Sequence, residues 1–251
     1  MATMILLGTG TGLPDVDRGN THMVWDGPGG PLLIDAGGST YERLLRAGID
    51  PQKLAGIVLT HSHCDHINGL PGLVFSMRLA GREDPLPIYG LDATLAIVQA
   101  TMGAMQVEYH VPLEWQKLPP GSRLALDEGW HLLTAPARHS RPCLALRFEQ
   151  SATGQALVYS ADTEPSPEVQ ELASGATVLI HEATTAEPFE GHSSPKQAGA
   201  VAAEAGVKRL VLVHYSPRWT MAEEQALAAI RAGGFLGQAE IGRDGQRIEV
   251  S

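Results

Sequence analysis

The stretch LTHSHCDHINGLPGL, residues 59 to 73, sets His61, His63, Asp65 and His66 within six positions, directly after an apolar run. Neutral imidazole and carboxylate ligate divalent metal ions, suiting zinc and also manganese or iron. In an H-x-H-x-D-H turn, His61 and His63 can point to one side while Asp65 and His66 reach a neighbouring point. One short loop can then hold two ions, and a pair about 3.5 to 4 Å apart is a recurrent hydrolytic device. A merely exposed His-rich loop is the bland alternative, and further ligand-type residues beside strand-like runs speak against it. They are His139 in TAPARHSRPCLALRF, Asp162 in LVYSADTEPSP and His214 in RLVLVHYSPRW. Five histidines and two aspartates suffice for two sites if one aspartate bridges.

These residues need strands to carry them. Short apolar runs of strand type fall at Met4 to Leu7, Met23 to Trp25, Leu32 to Ile34, Ile57 to Leu59, Leu144 to Phe148, Ala156 to Tyr159, Val178 to Ile180 and Leu210 to Val213. Helix starts are signalled by Ser39-x-x-Glu42, by Ser194-Pro195 with Gln197, and by Thr220-x-x-Glu223, each read as a capping box. Clustered strands with helices interspersed predict two sheets packed face to face with helices outside them. DGPGGP (26 to 31) and LPPG (118 to 121) are short enough to be turns. LGTGTG (7 to 12) is read as a glycine turn rather than a phosphate loop, because Pro14, Asp15 and Asp17 follow where a helix would start.

The chain has 251 residues, 43% of them apolar, and no repeat or linker divides it, so one domain spanning 1–251 is expected. A net charge of −10 argues against a broad nucleic-acid footprint, which needs a basic face. Two cysteines, Cys64 and Cys143, are too few for a disulfide framework and are expected as packed thiols. With no leader pattern and no run of about 20 apolar residues, a soluble cytoplasmic protein without membrane contact is expected. His22, His110, His131 and His181 are assigned surface or supporting roles, and no G-x-S-x-G elbow is present for a serine hydrolase.

Together, LTHSHCDHINGLPGL, the His139 segment, YSADT, HEATT, GHSSPKQAGAVAAEAGVKRLVLVHYSPRW and the opening LLGTGTGLPDVDRGN resemble the metallo-β-lactamase superfamily. The resemblance is to its branch of ribonuclease Z, small phosphodiesterases and zinc arylsulfatases. It implies an α/β fold, the αββα sandwich of two packed mixed sheets, with metals at one edge. It also implies that His61, His63 and His139 hold one divalent ion, that Asp65, His66 and His214 hold the other, and that Asp162 bridges them. A hydroxide held between the ions would be the nucleophile, and Asp65 could orient it or accept its proton. His192 in EGHSSPKQ would assist the leaving group in concert with Glu182 of the HEAT segment. A homodimer is implied as well.

Within the branch, the tRNA-processing members carry a protruding arm between the segments matching His139 and Asp162. Here those residues are 23 positions apart, and two strands and a turn use that length. Those members also carry a P-x-K-x-R-N loop. This chain has Pro14, Asp15, Val16, Asp17, Arg18, Gly19 and Asn20, which lacks the lysine and gains two acids. The expectation is therefore a hydrolase of a small anionic ester, foremost a phosphodiester, with tRNA disfavoured. Alternatives are a tRNA 3′ endonuclease, an arylsulfatase- or lactonase-type enzyme, or a metal-binding module without turnover. Arg18 is a candidate contact for the substrate's anion or else a solvent-facing turn residue. Residues 101–118 are expected near one rim, shaping a pocket or a subunit contact.

Overall fold

The computed structural model describes residues 2–107 and 111–250; His110 and the middle of the 101–118 stretch lie outside the described residues. Among the described residues, fourteen strands form two seven-stranded sheets. The first sheet contains β1 (Ala2–Gly8), β2 (His22–Asp26), β3 (Leu32–Ile34), β4 (Gly56–Leu59), β5 (Leu86–Gly90) and β6 (Leu113–Lys117). The second contains β7 (Arg123–Ala125), β8 (Trp130–Ala137), β9 (Cys143–Gln150), β10 (Ala156–Tyr159), β11 (Val178–Glu182), β12 (Arg209–Val213) and β13 (Gln238–Ile241). The last strand, β14 (Arg247–Val250), crosses back to pair antiparallel with β1. Their orders are β14-β1-β2-β3-β4-β5-β6 and β13-β12-β11-β10-β9-β8-β7. Pairing is antiparallel from β14 to β3 and from β7 to β10, then parallel from β3 to β6 and from β10 to β13.

Alternation along the strands builds three layers of core. Met4 and Leu6 face the second sheet with Met23, Trp25, Phe148 and Tyr159, while Ile5 and Leu7 face helices on the far side. Trp25 stacks on Phe148 at 4.6 Å and meets Trp130 edge-on at 4.9 Å, fixing how the sheets sit on each other. Outside the first sheet lie α1 (Thr40–Arg46), α2 (Cys64–Ile67), α3 (Leu70–Leu79) and α4 (Asp92–Ala104). Outside the second lie α5 (Pro167–Ala173), α6 (Pro195–Glu204) and α7 (Glu223–Ala232). This is the αββα sandwich. Among the described residues no helix is long and apolar enough to cross a membrane.

The Ser194 capping box forms, with Ser194 Oγ accepting from Gln197 N. The other two do not. Ser39 precedes α1 without a side-chain cap bond, and α7 starts after Ala222 because the Thr220 hydroxyl donates instead to the carbonyls of Ala183 and Thr184. Cys143 is buried, but Cys64, the first residue of α2, is exposed.

Arg18 is neither a solvent-facing residue nor free to meet an anion. Its guanidinium is buried, donating to Thr9 Oγ1 at 2.9 Å, Gly242 O at 2.7 Å and Glu223 Oε1 at 3.0 Å. These bonds tie the loop to the end of β1, to the residue after β13 and to the helix that starts at Glu223, so the guanidinium is not available as a substrate contact. His22 is also buried, with Nδ1 donating to Asn20 O at 2.9 Å.

Burial lowers the His22 pKa from 6.5 to about 4. The unfolded chain therefore takes a proton near pH 6.5 that the fold refuses until about pH 4. That contribution to stability is full above pH 6.5 and declines as pH falls toward 4. Between pH 7 and 5 it amounts to about 2 kcal/mol. His22→Leu should flatten the pH dependence of the urea midpoint by that amount, and an unchanged slope would contradict the assignment.

Candidate functional site

The seven expected ligands and Glu182 sit at or just beyond the C-terminal ends of strands, at one edge of the sandwich. His61, His63, Asp65 and His66 follow β4; His139 follows β8; Asp162 follows β10; Glu182 ends β11; His214 follows β12. Parallel strands bring their carboxyl ends to one edge, where loops can converge. Asp35, Ala161 and His214 hold the backbone at φ of 59°, 52° and 50°, left-handed values that non-glycine residues rarely adopt. Strain of this kind concentrates where side-chain placement matters more than local comfort.

The seven predicted ligands come together. His61 Nε2 lies 3.1 Å from His63 Nδ1, which lies 2.9 Å from His139 Nε2. Asp65 Oδ2 is 3.2 Å from His214 Nε2 and 3.5 Å from His66 Nε2. Between the two groups sits Asp162 Oδ2, at 3.9 and 4.0 Å from His61 and His139 and at 3.5 and 3.4 Å from His66 and His214. A tetrahedral ion with ligands at about 2.0–2.1 Å sets its donors about 3.3 Å apart, close to these separations.

Hydrogen bonds behind the rings fix the tautomers. The Thr184 hydroxyl donates to Glu182 Oε2 at 2.7 Å, so at its 2.7 Å contact with His214 it must accept from Nδ1–H. By the same logic the Thr60 hydroxyl, donating to Asp35, accepts from His61 Nδ1–H. His66 Nδ1–H donates to Asp35 Oδ2 at 2.8 Å and His139 Nδ1–H to Gly191 O at 2.6 Å. Four Nε2 atoms therefore face two carboxylates while each ring's Nδ1–H is spent on a partner behind it. His66 Nε2 and Asp162 Oδ1 are buried without a hydrogen-bond partner. Such a set is costly unless a cation occupies its centre. The donors fit divalent metal ions.

Electrostatics agree for three rings and not for His66. Burial and neighbouring imidazoles hold His61 well below its ordinary pKa, and burial lowers His63 and His139, which favours the neutral form of each. Burial would raise Asp162, but the His214 and His66 rings overcome it and hold that carboxyl well below the usual range. His66, despite burial, is drawn upward by Asp162 and Asp35.

His192 stands beside the cluster, its ring 4.9 Å from His139 and 5.7 Å from His214. Its Nδ1 is 3.0 Å from Glu182 Oε1. Glu182 is fully buried and also accepts from the backbone N–H groups of Thr163, Thr184 and Ser193. It therefore positions other groups rather than meeting a substrate. Burial opposes protonation of His192, yet the hydrogen bond and charge of Glu182 raise its pKa overall. A third donor grouping, Asp162 with His192 and His214, shows how near His192 stands to the centre.

Sequence reasoning missed Asp35, Thr60, Thr184 and two glycines. A Cβ on Gly12 would lie 3.3 Å from Asp65 Oδ2, and Gly191, at φ 83°, turns its carbonyl onto His139. The signal for Asp35 was a lone acid ending the apolar run Leu32 to Ile34. His181 is buried with Nδ1 donating to Glu182 O, and His131 meets Ser151; neither reaches the cluster. Because supporting partners of metal ligands typically contribute about 10–100-fold in affinity, Asp35→Asn should weaken metal binding by about that factor. Competition with a chromophoric chelator measures it, and unchanged affinity would contradict the tautomer assignment.

Residues 31–215 match the beta-lactamase superfamily domain, and with this fold the chain belongs to the metallo-β-lactamase superfamily, in its ribonuclease Z branch. Its relatives include ribonuclease Z of Mycobacterium bovis, 30% identical over 277 aligned positions covering 100% of this chain and 99% of the relative. Ribonuclease Z of Methanothermobacter thermautotrophicus is also 30% identical, over 89% of each chain. Among solved structures, the metallo-beta-lactamase fold protein YhfI from Bacillus subtilis superposes with TM-score 0.83 at 22% identity, covering 98% of each chain. Human tRNase Z, short form, gives 0.78 at 25% identity over 99% of each. The chain is a metal-dependent hydrolase acting on ester bonds.

Proposed function

We propose that this single domain, residues 1–251, is a dinuclear hydrolase of a small phosphodiester. The observation that carries the reading is the convergence of four Nε2 atoms, from His61, His66, His139 and His214, on Asp162 Oδ2. His61, His63 and His139 would hold one ion and Asp65, His66 and His214 the other, with Asp162 shared; the nitrogen and oxygen donors suit zinc. Two such ions supply a water ionised near neutral pH and positive charge for the ester oxygens. Asp65, partly exposed, is placed to orient the attacking water and take its proton. As the new P–O bond forms and the old one breaks, His192, kept protonated by Glu182, gives its proton to the leaving oxygen. We further propose action in the cytoplasm as a homodimer.

RNA cleavage is the second reading, favoured by the ribonuclease Z relatives. Against it, β9 and β10 with the turn 151–155 take up the chain between His139 and Asp162, leaving no room for an arm. The 277 aligned positions against 251 residues also mean that the Mycobacterium bovis relative carries insertions this chain lacks.

The metal-loaded protein should hydrolyse bis(p-nitrophenyl) phosphate, lose that activity to a chelator, and leave precursor tRNA uncut. Cleavage of the tRNA at its 3′ side would establish the second reading. Hydrolysis only of sulfate esters or lactones, or of nothing, would overturn the first.

A further inference from the structure

The cleft over the cluster holds about 220 Å³, lined by His63, Asp65, Asp162, His192 and His214 but also by Leu13 and Trp219. Ligand pockets commonly run from about 300 to 1,000 Å³, so this one accommodates the reacting ester and leaves its substituents at the mouth. Two of the cleft's lining side chains are large, apolar and exposed. Trp25 and Trp130 are buried and Trp115 is half-buried, whereas Trp219 is 60% exposed and Leu13 is 69% exposed.

An exposed indole alone would mean little. This one is seated on a braced turn. Trp219 N donates to Ser216 O, Thr220 N to the same carbonyl at 2.7 Å, and the Thr220 hydroxyl to the carbonyls of Ala183 and Thr184. Tyr215, immediately after the candidate ligand His214, bonds Met221 O from below. Thr184 is also the residue that orients His214, so indole and metal cluster share one rigid mount. On the facing loop, Leu13 is tied through its N–H and carbonyl to the Thr11 hydroxyl, while Asp15 and Asp17 give that loop negative charge.

We infer that Trp219 and Leu13 form a ring-binding platform that selects esters whose non-leaving substituent carries an aromatic ring or nucleobase. The assignment rests on the phosphodiester reading for its substrate class. The ring lies on the indole face, and its stacking favours a flat π-system over an alkyl group of equal area.

The test uses metal-loaded protein and p-nitrophenyl phosphodiesters whose second group is methyl, cyclohexyl, phenyl or thymidine 5′. Wild type should favour phenyl or thymidine over cyclohexyl by roughly tenfold in kcat/KM. Trp219→Ala should erase that preference while changing the methyl ester by less than about twofold, and Trp219→Phe should keep most of it. The phenyl and thymidine arms separate an aryl from a nucleobase ligand. Independently of turnover, phenylphosphonate should quench a fluorescence component that Trp219→Phe removes, and methylphosphonate should not. Equal losses for all four esters in Trp219→Ala, or no loss for any, would overturn the platform. If none of the four esters is cleaved but phenylphosphonate still quenches Trp219, the phosphodiester reading fails and the platform stands.

Discussion

Asp162→Ala should fold and yet lose hydrolysis of bis(p-nitrophenyl) phosphate. Its carboxylate lies within 4.0 Å of donors from both halves of the cluster, reaching His61, His139, His66 and His214. A residue that only supports one ligand is worth about 10–100-fold, and removal of the shared carboxylate affects both ions together. The expected loss in kcat/KM is therefore at least roughly a thousandfold. Fold should survive, because removing a buried carboxylate among convergent nitrogens relieves burial of charge as well as breaking contacts. Circular dichroism and a thermal scan would establish that, and a folded variant with wild-type rate would dismiss the site.

His192→Ala is expected to cost about 10²–10⁴-fold in kcat, the usual range for a positioned general acid. The loss should depend on the leaving group. A p-nitrophenolate departs without a proton, so its ester should lose little, whereas an alkyl or nucleoside leaving group should lose the full amount. Glu182→Gln should show a weaker version of the same selectivity, since it removes the charge holding His192 protonated. Equal losses across leaving groups would instead make His192 a metal ligand, the role offered by its grouping with Asp162 and His214.

Much of this site was legible because ligands announce themselves by residue type after apolar strands. β4, β10, β11 and β12 are buried on both faces and read as unbroken apolar runs. Strands that escaped are half-exposed or at edges, such as β6 with LEWQK, β7 with RLA and β14 with RIEV. Their apolar residues alternate with charges over too few positions to stand out. The Thr220 box failed for a tertiary reason, since its hydroxyl meets carbonyls distant in sequence. Arg18 was misjudged similarly. Its position in an acidic loop says nothing of Glu223 and Gly242, which lie over 200 residues away and claim the guanidinium. The supporting bonds of Asp35, Thr60 and Thr184 were equally unreadable, because each joins loops that only the packed sheets bring together.

Most direct for the central claim is a titration of metal-free protein with zinc, following bound metal by elemental analysis and hydrolysis of bis(p-nitrophenyl) phosphate at each step. Two donor groups sharing Asp162 lead to a break at two equivalents per chain, with Asp162→Ala binding less and remaining inactive. Full activity at one equivalent, or hydrolysis undiminished with no metal added, would contradict the account.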